Sequence, residues 1–576
     1  MKHAIEVESP SHRPFTIASL YSYFIGHLDL VPDGIGYHKK GEMNGLWYPP
    51  IRALKNIHIM GRERILKPKH AKIEYSSAKF TFDDMRLYLS FEHNGDFIIS
   101  VRNDSNDIIN IVVDLLPETV WDSVNDTNVT ISKQSVMIFS HMFPETRLRI
   151  TGTSEFSIKD GKLSLSSARK GSLRISSVFL NPVKTIRKIN RYGDIDKFSI
   201  LEIKNEAIAR NFSLAKDNLI RLSLLNQGIG YGLTAGHPDF PWYFGIDALL
   251  SINGIMDSGF FELALGSLNI LARFSKSGKI PHEILTSGKV YNDGDLEETA
   301  IFPFAVFRYS EWTGDTENIE HLMRITSESF RYLFDFGLHG RGIMEDSKAG
   351  QGIDIDTVSF AIMSLMELEK ISNQNQVIAN EIADKVKPGH AIDGLKKLLQ
   401  SFWLPERNTY ANRIMDGVPI DFGFWTSIVP FYAGLADPEY YRSFVCAQGG
   451  LPRISNTYGI AVDSSGNSMP INTGMFVLAS LRYGDIANAL DYFRKLNLTV
   501  GALSPGAYPE ISNNSEGCYL QSWSAAIYVE SVVEGFFGVH PDAGYIFSEP
   551  HIVDGIPYGT ALKRLRFRGG YYDFRI

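Results

Sequence analysis

The most constraining feature of the sequence is the regular alternation of short and long connections between predicted helices. From about Asn205 the hydrophobic period becomes helical, and tight turns such as MDSG, TGDT and RYGD alternate with connections of about fifteen to twenty-five residues. Because alternate connections of an up-and-down helical array lie at the same end, every long connection falls on one face. Long loops in compact domains usually carry function. The pattern predicts six helical hairpins closed into an (α/α)6 barrel with a pocket at that face, rather than an open solenoid. The twelve predicted helices cover 205–225, 245–257, 259–275, 296–313, 316–336, 354–372, 376–401, 422–433, 437–445, 471–482, 484–496 and 519–536.

The chain before this region has the two-residue alternation of β-strands. Short alternating or apolar runs recur between turn residues, for example at 97–100, 136–140 and 173–180. The sequence therefore predicts a multidomain α and β protein, in which an antiparallel β-sandwich precedes the barrel and a short β segment follows it. The predicted divisions are a β-sandwich domain (1–190), a linker (191–204), the barrel (205–540) and C-terminal strands (541–576), and the linker overlaps a linker-like stretch near 184–197.

Composition, charge and missing motifs argue against several classes of function. The net charge is −8 and no extended basic block is present, so we expect neither a nucleic-acid nor an anionic-membrane partner. No signal core and no apolar run of about 18 residues is visible, so we expect a cytoplasmic protein without a membrane span. Nucleotide-binding and serine-hydrolase motifs are missing, and His237 and His282 lack a ligand-spaced partner. We therefore expect no metal and no cofactor, while the oligomeric state stays open.

Acids, amides and aromatic residues recur where predicted helices start at the long-loop face. Helix capping would account for the acids, because carboxylates satisfy free N–H groups and the positive end of the helix dipole. Capping does not call for aromatic residues beside each acid, whereas a sugar-binding surface does. Large cores are the alternative explanation for the 12% aromatic content. The predicted carbohydrate site consists of Trp242, Tyr243, Phe244, Asp247, Tyr291, Asn292, Asp295, Asp356, Trp425, Tyr508, Glu510, Gln521 and Trp523.

Two of these carboxyl groups suffice to hydrolyse a glycosidic bond. Asp247 directly follows three aromatic residues, and burial against them would raise its pKa and suit it as the general acid. Glu510 lies in the last long loop, and helices 2 and 12 are neighbours in a closed barrel, so Glu510 is the candidate base. Glu516 is the rival base, with helix capping as its other explanation. A separation of about 6.5–9.5 Å between the two carboxyl groups would mean that the enzyme inverts the configuration at the anomeric carbon. A separation of about 5 Å would mean that it retains this configuration.

Several stretches of the chain resemble the amylo-α-1,6-glucosidase domains of glycogen debranching enzymes. TAGHPDFPWYFGIDALLSINGI resembles the stretch in which a Trp-Phe pair precedes Gly-Arg-Asp, and VYNDGDLEET resembles a Tyr-Asn-x-x-Asp segment. YPEISNNSEGCYLQSWSAAIYVESVVEGFFGVHPDA resembles a Ser-Glu-Ile segment followed by Gly-Cys-x-x-Gln-x-Trp-Ser and Phe-Gly-x-x-Pro-Asp. DGIGYHKKGEMNGLWYPPIRAL resembles part of the family's β-sandwich domain. The resemblance implies that Asp247 is the acid, Glu510 the base and Asp295 a sugar contact.

The resemblance implies an inverting hydrolase that removes glucose from α-1,6 branch points of glycogen or related α-glucans. Two departures leave the substrate open: Ile246 replaces the family's Arg, and NSMPINTGMF replaces its His-Gln/Asn-Gly-x-x-Trp-Pro pattern. The alternatives are another α-glycosidase on the same barrel (α-1,4-glucosidase, trehalase or α-mannosidase), a phosphorylase, or a glycan-binding protein without activity. The role of the N-terminal domain is also open, since GLWYPP with Trp47 and Tyr48 would either reach the pocket or pack between domains.

Overall fold

The computed structural model describes residues 3–61, 64–105, 107–119, 125–132, 135–153, 156–167, 169–179, 189, 192–337, 352–373, 377–551 and 559–576. Half of the linker-like stretch at 184–197, namely 184–188, 190 and 191, lies outside these residues. The division of the chain into four domains stays a prediction.

The N-terminal part consists of antiparallel strands, as the sequence predicts. They form a nine-stranded sheet in the order β1-β7-β8-β9-β10-β17-β14-β13-β12 and two four-stranded sheets, β2-β3-β4-β5 and β15-β16-β11-β6. In β9 and β10 buried and more exposed residues alternate, so this part of the nine-stranded sheet has one face in the core. The strands are β1 (Ile5–Glu8), β2 (Pro14–Ala18), β3 (Tyr23–His27), β4 (Gly45–Tyr48), β5 (Ile51–Leu54), β6 (Ile57–Met60), β7 (His70–Ile73), β8 (Ser77–Thr81), β9 (Met85–Phe91), β10 (Phe97–Asn103), β11 (Ile109–Asp114), β12 (Thr127–Ile131), β13 (Ser135–Ser140), β14 (Thr146–Gly152), β15 (Ser157–Lys159), β16 (Lys162–Ser167) and β17 (Lys170–Phe179).

Aromatic side chains join the sheet β2-β3-β4-β5 to the nine-stranded sheet. The ring of Phe15 on β2 lies 5.6 Å from that of Phe80 on β8, and the ring of Phe24 on β3 lies 5.6 Å from that of Phe97 on β10. The hydroxyl oxygen of Tyr48 lies 2.9 Å from the carbonyl oxygens of Gly95, in the turn between β9 and β10, and of Ile175 on β17, and its single proton is donated to these acceptors. The two sheets therefore pack on each other through buried side chains, as the layers of a sandwich do.

The helical part follows, and most of its helices begin and end within a few residues of the predicted bounds. Asn205 caps the first helix, because its side chain accepts from the N–H groups of Ala207 and Ile208. The helices are α1 (Glu206–Arg221), α2 (Gly245–Leu250), α3 (Ile252–Asp257), α4 (Phe261–Phe274), α5 (Glu297–Thr313), α6 (Glu320–Tyr332), α7 (Ile355–Ser372), α8 (Val377–Val386), α9 (Pro388–Gln400), α10 (Val429–Tyr432), α11 (Pro438–Cys446), α12 (Pro470–Arg482), α13 (Ile486–Thr499) and α14 (Ser522–Glu530).

Every second helical segment belongs to an inner ring. The pair α2/α3 contacts α5, and the contacts continue through α7, α10, α12 and α14, which packs back on α2 and α3. α12 and α14 are buried around nearly their whole circumference, whereas α6 and α9 bury mainly one face. This difference in burial is what separates inner from outer helices. No helix among the described residues is both long enough and apolar enough to cross a bilayer.

A buried lysine attaches the chain before α1 to the helices. Lys216 on α1 donates from Nζ to the carbonyl groups of Ile195 (2.7 Å), Phe198 and Ser199 (3.0 Å). These three acceptors satisfy the donors of the side chain, which is buried. The segment before α1 is thereby held against the ring.

The remaining strands are short and mostly lie in the long connections, apart from the C-terminal hairpins. The C-terminal strands β35 and β36 form a sheet with β18, so the chain end pairs with the predicted linker. These strands are β18 (Ile200–Glu202), β19 (Ser223–Asn226), β20 (Gly230–Leu233), β21 (Gly236–His237), β22 (Tyr243–Phe244), β23 (Glu283–Ile284), β24 (Val290–Asn292), β25 (Ile353–Asp354), β26 (Trp403–Leu404), β27 (Thr409–Tyr410), β28 (Arg413–Met415), β29 (Val418–Ile420), β30 (Ser455–Asn456), β31 (Gly459–Ile460), β32 (Leu520–Gln521), β33 (Val539–Asp542), β34 (Tyr545–Ser548), β35 (Ala561–Phe567) and β36 (Gly570–Arg575).

Candidate active site

The long connections enclose a cavity of about 750 Å³ at the end of the helical ring where α2, α5, α7, α12 and α14 begin. Its size suits a small ligand such as one or two sugar units. Ten of the thirteen predicted site residues line it: Phe244, Asp247, Tyr291, Asn292, Asp295, Asp356, Trp425, Glu510, Gln521 and Trp523.

Asp247 reaches the cavity from the first turn of α2. The short strand β21 pairs with β32, which places Gln521 opposite Gly236. The side-chain Nε2 of Gln521 then donates to Oδ1 of Asp247 at 2.6 Å. Only glycine fits at position 236, because a Cβ there would lie 2.1 Å from Oε1 of Gln521. The first and last long loops are thus joined directly beside Asp247.

Glu510 is oriented by a tight loop in the last long connection. Its N–H donates to the carbonyl of Cys518 at 2.7 Å, and the N–H of Cys518 donates to Oε2 of Glu510 at 2.8 Å. Gly517 has a left-handed φ of +80°, and a Cβ there would lie 2.6 Å from Oε2. Glu516 is exposed, is hydrogen-bonded to Asn514 and is not among the residues that line the cavity. Of the two candidate bases, only Glu510 faces the cavity.

A group of buried and half-buried acids forms one wall of the cavity. Arg413, which is fully buried, donates from Nε and Nη2 to the two carboxylate oxygens of Asp354 at 2.6 and 2.7 Å. Burial and the negative charges of neighbouring acids raise the pKa of Asp295 to about 7, although a hydrogen bond to Arg413 opposes the shift. Burial likewise raises the pKa values of Asp356 and Glu297, which share a hydrogen bond. This wall therefore holds protons near neutral pH that isolated carboxylates would have lost.

One cluster of described residues has ligand atoms close enough to hold a metal ion. Atoms of His282, Glu297 and Glu298 lie within 4.8 Å of one another. Nδ1 of His282 is hydrogen-bonded to Oε1 of Glu298 at 2.5 Å, and Glu297 is hydrogen-bonded to Asp356. These hydrogen bonds link the three side chains into a network, while Oε2 of the fully buried Glu298 has no hydrogen-bond partner among the described residues. The absence of a metal stays a prediction.

Three predicted site residues lie behind the cavity wall rather than on it. Trp242 donates from Nε1 to Oε2 of Glu283 at 3.0 Å and so holds a carboxylate that does line the cavity. The hydroxyl of Tyr243 donates to the carbonyl of Leu224, and that of the fully buried Tyr508 donates to the carbonyl of Asn211. The expectation that these three contact a sugar directly is therefore corrected, since they support the wall from within the core.

The structure also brings in residues that the sequence did not assign to the site. Asn412 accepts the N–H of Phe422 (2.8 Å) and donates to the carbonyl of Phe424 (3.0 Å) and the hydroxyl of Thr426 (2.8 Å), which fixes the turn carrying Trp425. No motif surrounds Asn412, so nothing in the sequence indicated this role. Other lining residues outside the prediction include His38, Ile246, Glu283, Glu297, Asp354 and Asp463.

The GLWYPP segment does not reach the cavity. Trp47 is buried and donates from Nε1 to the carbonyl of Met43 at 3.2 Å, and Tyr48 is hydrogen-bonded inside the sheets. These hydrogen bonds all lie within the N-terminal part, so the segment packs inside the sheets, and its predicted alternative role in packing between domains stays a prediction. The N-terminal contribution comes instead from the loop between β3 and β4, which supplies His38.

Comparison with solved structures finds the same fold along the whole chain. A putative kojibiose phosphorylase from human microbiome is similar at a TM-score of 0.64 and 11% identity, over 100% of this chain and 94% of that chain. A bacterial glucoamylase complexed with acarbose is similar at a TM-score of 0.57 and 12% identity, over 92% of this chain and 97% of that one. No protein-family model and no curated protein matches the sequence. At these identities the likeness establishes a shared fold, comprising N-terminal antiparallel sheets and a helical part.

Proposed function

We propose that the protein is an inverting glycoside hydrolase whose inner and outer helices form an (α/α)6 barrel. The observation that carries this proposal is the cavity at the long-loop face, where Asp247 and Glu510 meet aromatic side chains such as Trp425 and Trp523. Glycosidic hydrolysis requires two carboxyl groups, one of them protonated, and no cofactor. Aromatic rings in such a cavity supply stacking surfaces for a sugar ring.

Water, rather than phosphate, is the proposed attacking group. Of the solved structures with this fold, one of the two described above is a phosphorylase by name and the other a glucoamylase, so the fold is compatible with either. Eight carboxyl groups line the cavity, and none of the described lining residues is Lys or Arg. Arg413 lies behind the wall and is paired with Asp354. A phosphate dianion would therefore meet net negative charge without a free cation, whereas a neutral sugar and water would not be repelled.

Glu510 is the proposed base, and two residues are candidates for the acid. Asp247 is the acid implied by the sequence, and its Oδ1 accepts a hydrogen bond from Gln521 at 2.6 Å. Asp356 is a second candidate, because burial raises its pKa and favours the protonated form that an acid must start from. In that case Asp247 would bind hydroxyl groups of the sugar at the inner end of the cavity.

The proposed substrate is an α-glucan with an α-1,6-linked glucose at a branch point, as the sequence resemblance implies. A cavity that is closed at its inner end by buried side chains supports attack at a chain end or a single-glucose stub rather than within a chain. Ile246 lines the cavity where the debranching family has Arg, so a related α-glycosidic bond is the second candidate.

The test is glucose release from a branched 6-O-α-glucosyl maltooligosaccharide, with linear maltooligosaccharide and trehalose in parallel and the product anomer followed by NMR. We expect β-glucose from the branched substrate, no dependence on inorganic phosphate, and loss of turnover in Glu510→Gln. Glu516→Gln is the matched control and should keep wild-type turnover. Initial release of α-glucose would contradict inversion, and glucose 1-phosphate would identify a phosphorylase. Binding of the glucans without any release would favour a glycan-binding protein.

A further inference from the structure

A loop from the N-terminal sheets reaches the mouth of the cavity. It connects β3 to β4, and His38 lines the cavity. The N–H groups of Tyr37 and His38 donate to Oδ1 of Asp239 at 2.7 and 3.1 Å. The ring of His38 also lies 4.6 Å from that of Phe240, centre to centre. The loop is therefore attached to the same segment that carries β21 and leads to Asp247.

The two ends of the loop contact each other, and residues 37 and 38, which bind Asp239, lie between them. A Cβ at Gly34 would lie 2.5 Å from the Cα of Gly41, so the two arms of the loop pass too close for a larger residue at position 34. The N–H of Met43 donates to the carbonyl of Ile35 at 2.8 Å and closes the base. Residues 35–40 therefore project as one preformed unit.

Exposure separates the inner end of the cavity from its mouth. Asp247 and Gln521 are only 4% and 1% exposed, whereas Tyr291 is 47% exposed and Tyr37, beside His38, is 56% exposed. A terminal sugar bound at the inner end would leave the rest of its glucan in the mouth. The mouth residues would then contact the leaving group and not the sugar that is released.

We propose that Tyr37 and His38 form the binding surface for the leaving-group sugars, so that the N-terminal loop determines how well longer glucans are used. The rings lie 5.4 Å apart edge to face, and Tyr37 presents an exposed aromatic surface suited to stacking on a pyranose. Backbone bonds to Asp239 hold this surface in place without using either side chain. The proposal rests on the proposed function, because it requires a glycosidic substrate in the cavity.

The test compares a substrate that lacks a sugar leaving group with substrates that have one. The Tyr37→Ala/His38→Ala double variant is assayed on α-glucosyl fluoride and on glucans with one to four leaving-group glucose units. We expect KM for the longest glucan to rise about tenfold, while kcat/KM for the fluoride changes less than about twofold. Lys40→Ala, at an exposed position in the same loop, is the matched control and should behave as wild type on both kinds of substrate.

An equal effect on both substrates, or no effect on either, would overturn the proposal. The same comparison is made by calorimetry in the Glu510→Gln background, with maltotetraose and glucose as probes, so that it does not depend on turnover. Weaker binding of maltotetraose alone supports the loop surface, and unchanged binding refutes it. Wild-type enzyme that hydrolyses no substrate contradicts the proposed function instead, and the binding data still decide the role of the loop.

Discussion

Gly517→Ala tests how the tight loop before α14 positions Glu510. The new Cβ would lie 2.6 Å from Oε2 of Glu510, so reaching ordinary contact requires a shift of about 0.8 Å. A misplacement of about 1 Å at a reacting group costs about a hundredfold in rate. The left-handed φ of +80° adds backbone strain of about 1 kcal/mol. We therefore expect kcat to fall about a hundredfold with little change in KM, since the base acts in the transition state.

The control variant must introduce the same backbone strain as Gly517→Ala without the close contact to Glu510. Gly569 in the β35–β36 turn has a φ of +79°, and a Cβ added there would have no atom within 4 Å, so Gly569→Ala isolates the backbone effect. Gly569→Ala should lose about 1 kcal/mol of unfolding free energy in urea titrations, and Gly517→Ala, which adds the close contact, should lose at least as much. Only Gly517→Ala should lose turnover in steady-state glucose release. Equal turnover in the two variants would refute the assignment of Glu510 as a positioned base.

Further predictions concern the acid, the pH profile and stability. In Asp356→Asn, kcat/KM for a glucan should fall at least about a hundredfold. Most activity on α-glucosyl fluoride should remain, because the fluoride leaving group needs no protonation. If Asp247→Asn shows that pattern instead, Asp247 is the acid. The pKa of Asp295, raised to about 7, means that this group is protonated below and charged above that pH, so kcat/KM should fall as pH rises through about 7. Asp295→Asn should remove this fall in kcat/KM. An unchanged pH profile in the variant would mean that another group causes the fall. Lys216→Met leaves three carbonyl groups without a donor and should lower the unfolding free energy by about 3 kcal/mol, whereas the exposed Lys204→Met should change it by less than about 0.5 kcal/mol.

The helices were predictable because their apolar period and tight turns are local properties of the chain. Differences arise where contacts distant in sequence decide the backbone. The predicted helix 422–433 is helical only from Trp425, in a short 3₁₀ turn before α10, because Asn412 holds Phe422 and Phe424 in extended chain. The predicted helix 376–401 is interrupted at Lys387, which precedes Pro388 and is left-handed.

The candidate site was predictable where its residues begin helices at the long-loop face. Asp247, Asp295 and Asp356 stand at or just before such helix starts, and all three line the cavity. Trp242 stands near the same helix start but turns inward, because sequence proximity does not specify side-chain direction. Arg413 pairs with Asp354 across 59 positions, and no local pattern indicates such a pair.

The pairing of β21 with β32 has a consequence for folding. It joins Gly236 to Gln521, so the cavity depends on a contact between the two ends of the helical part. Contacts of such large sequence separation form late, after the entropy of closing the intervening chain has been overcome. A nascent or partly refolded chain could hold most of its helices and still lack a site. Recovery of turnover during refolding should therefore lag behind recovery of helical signal, and the lag would measure closure of the ring.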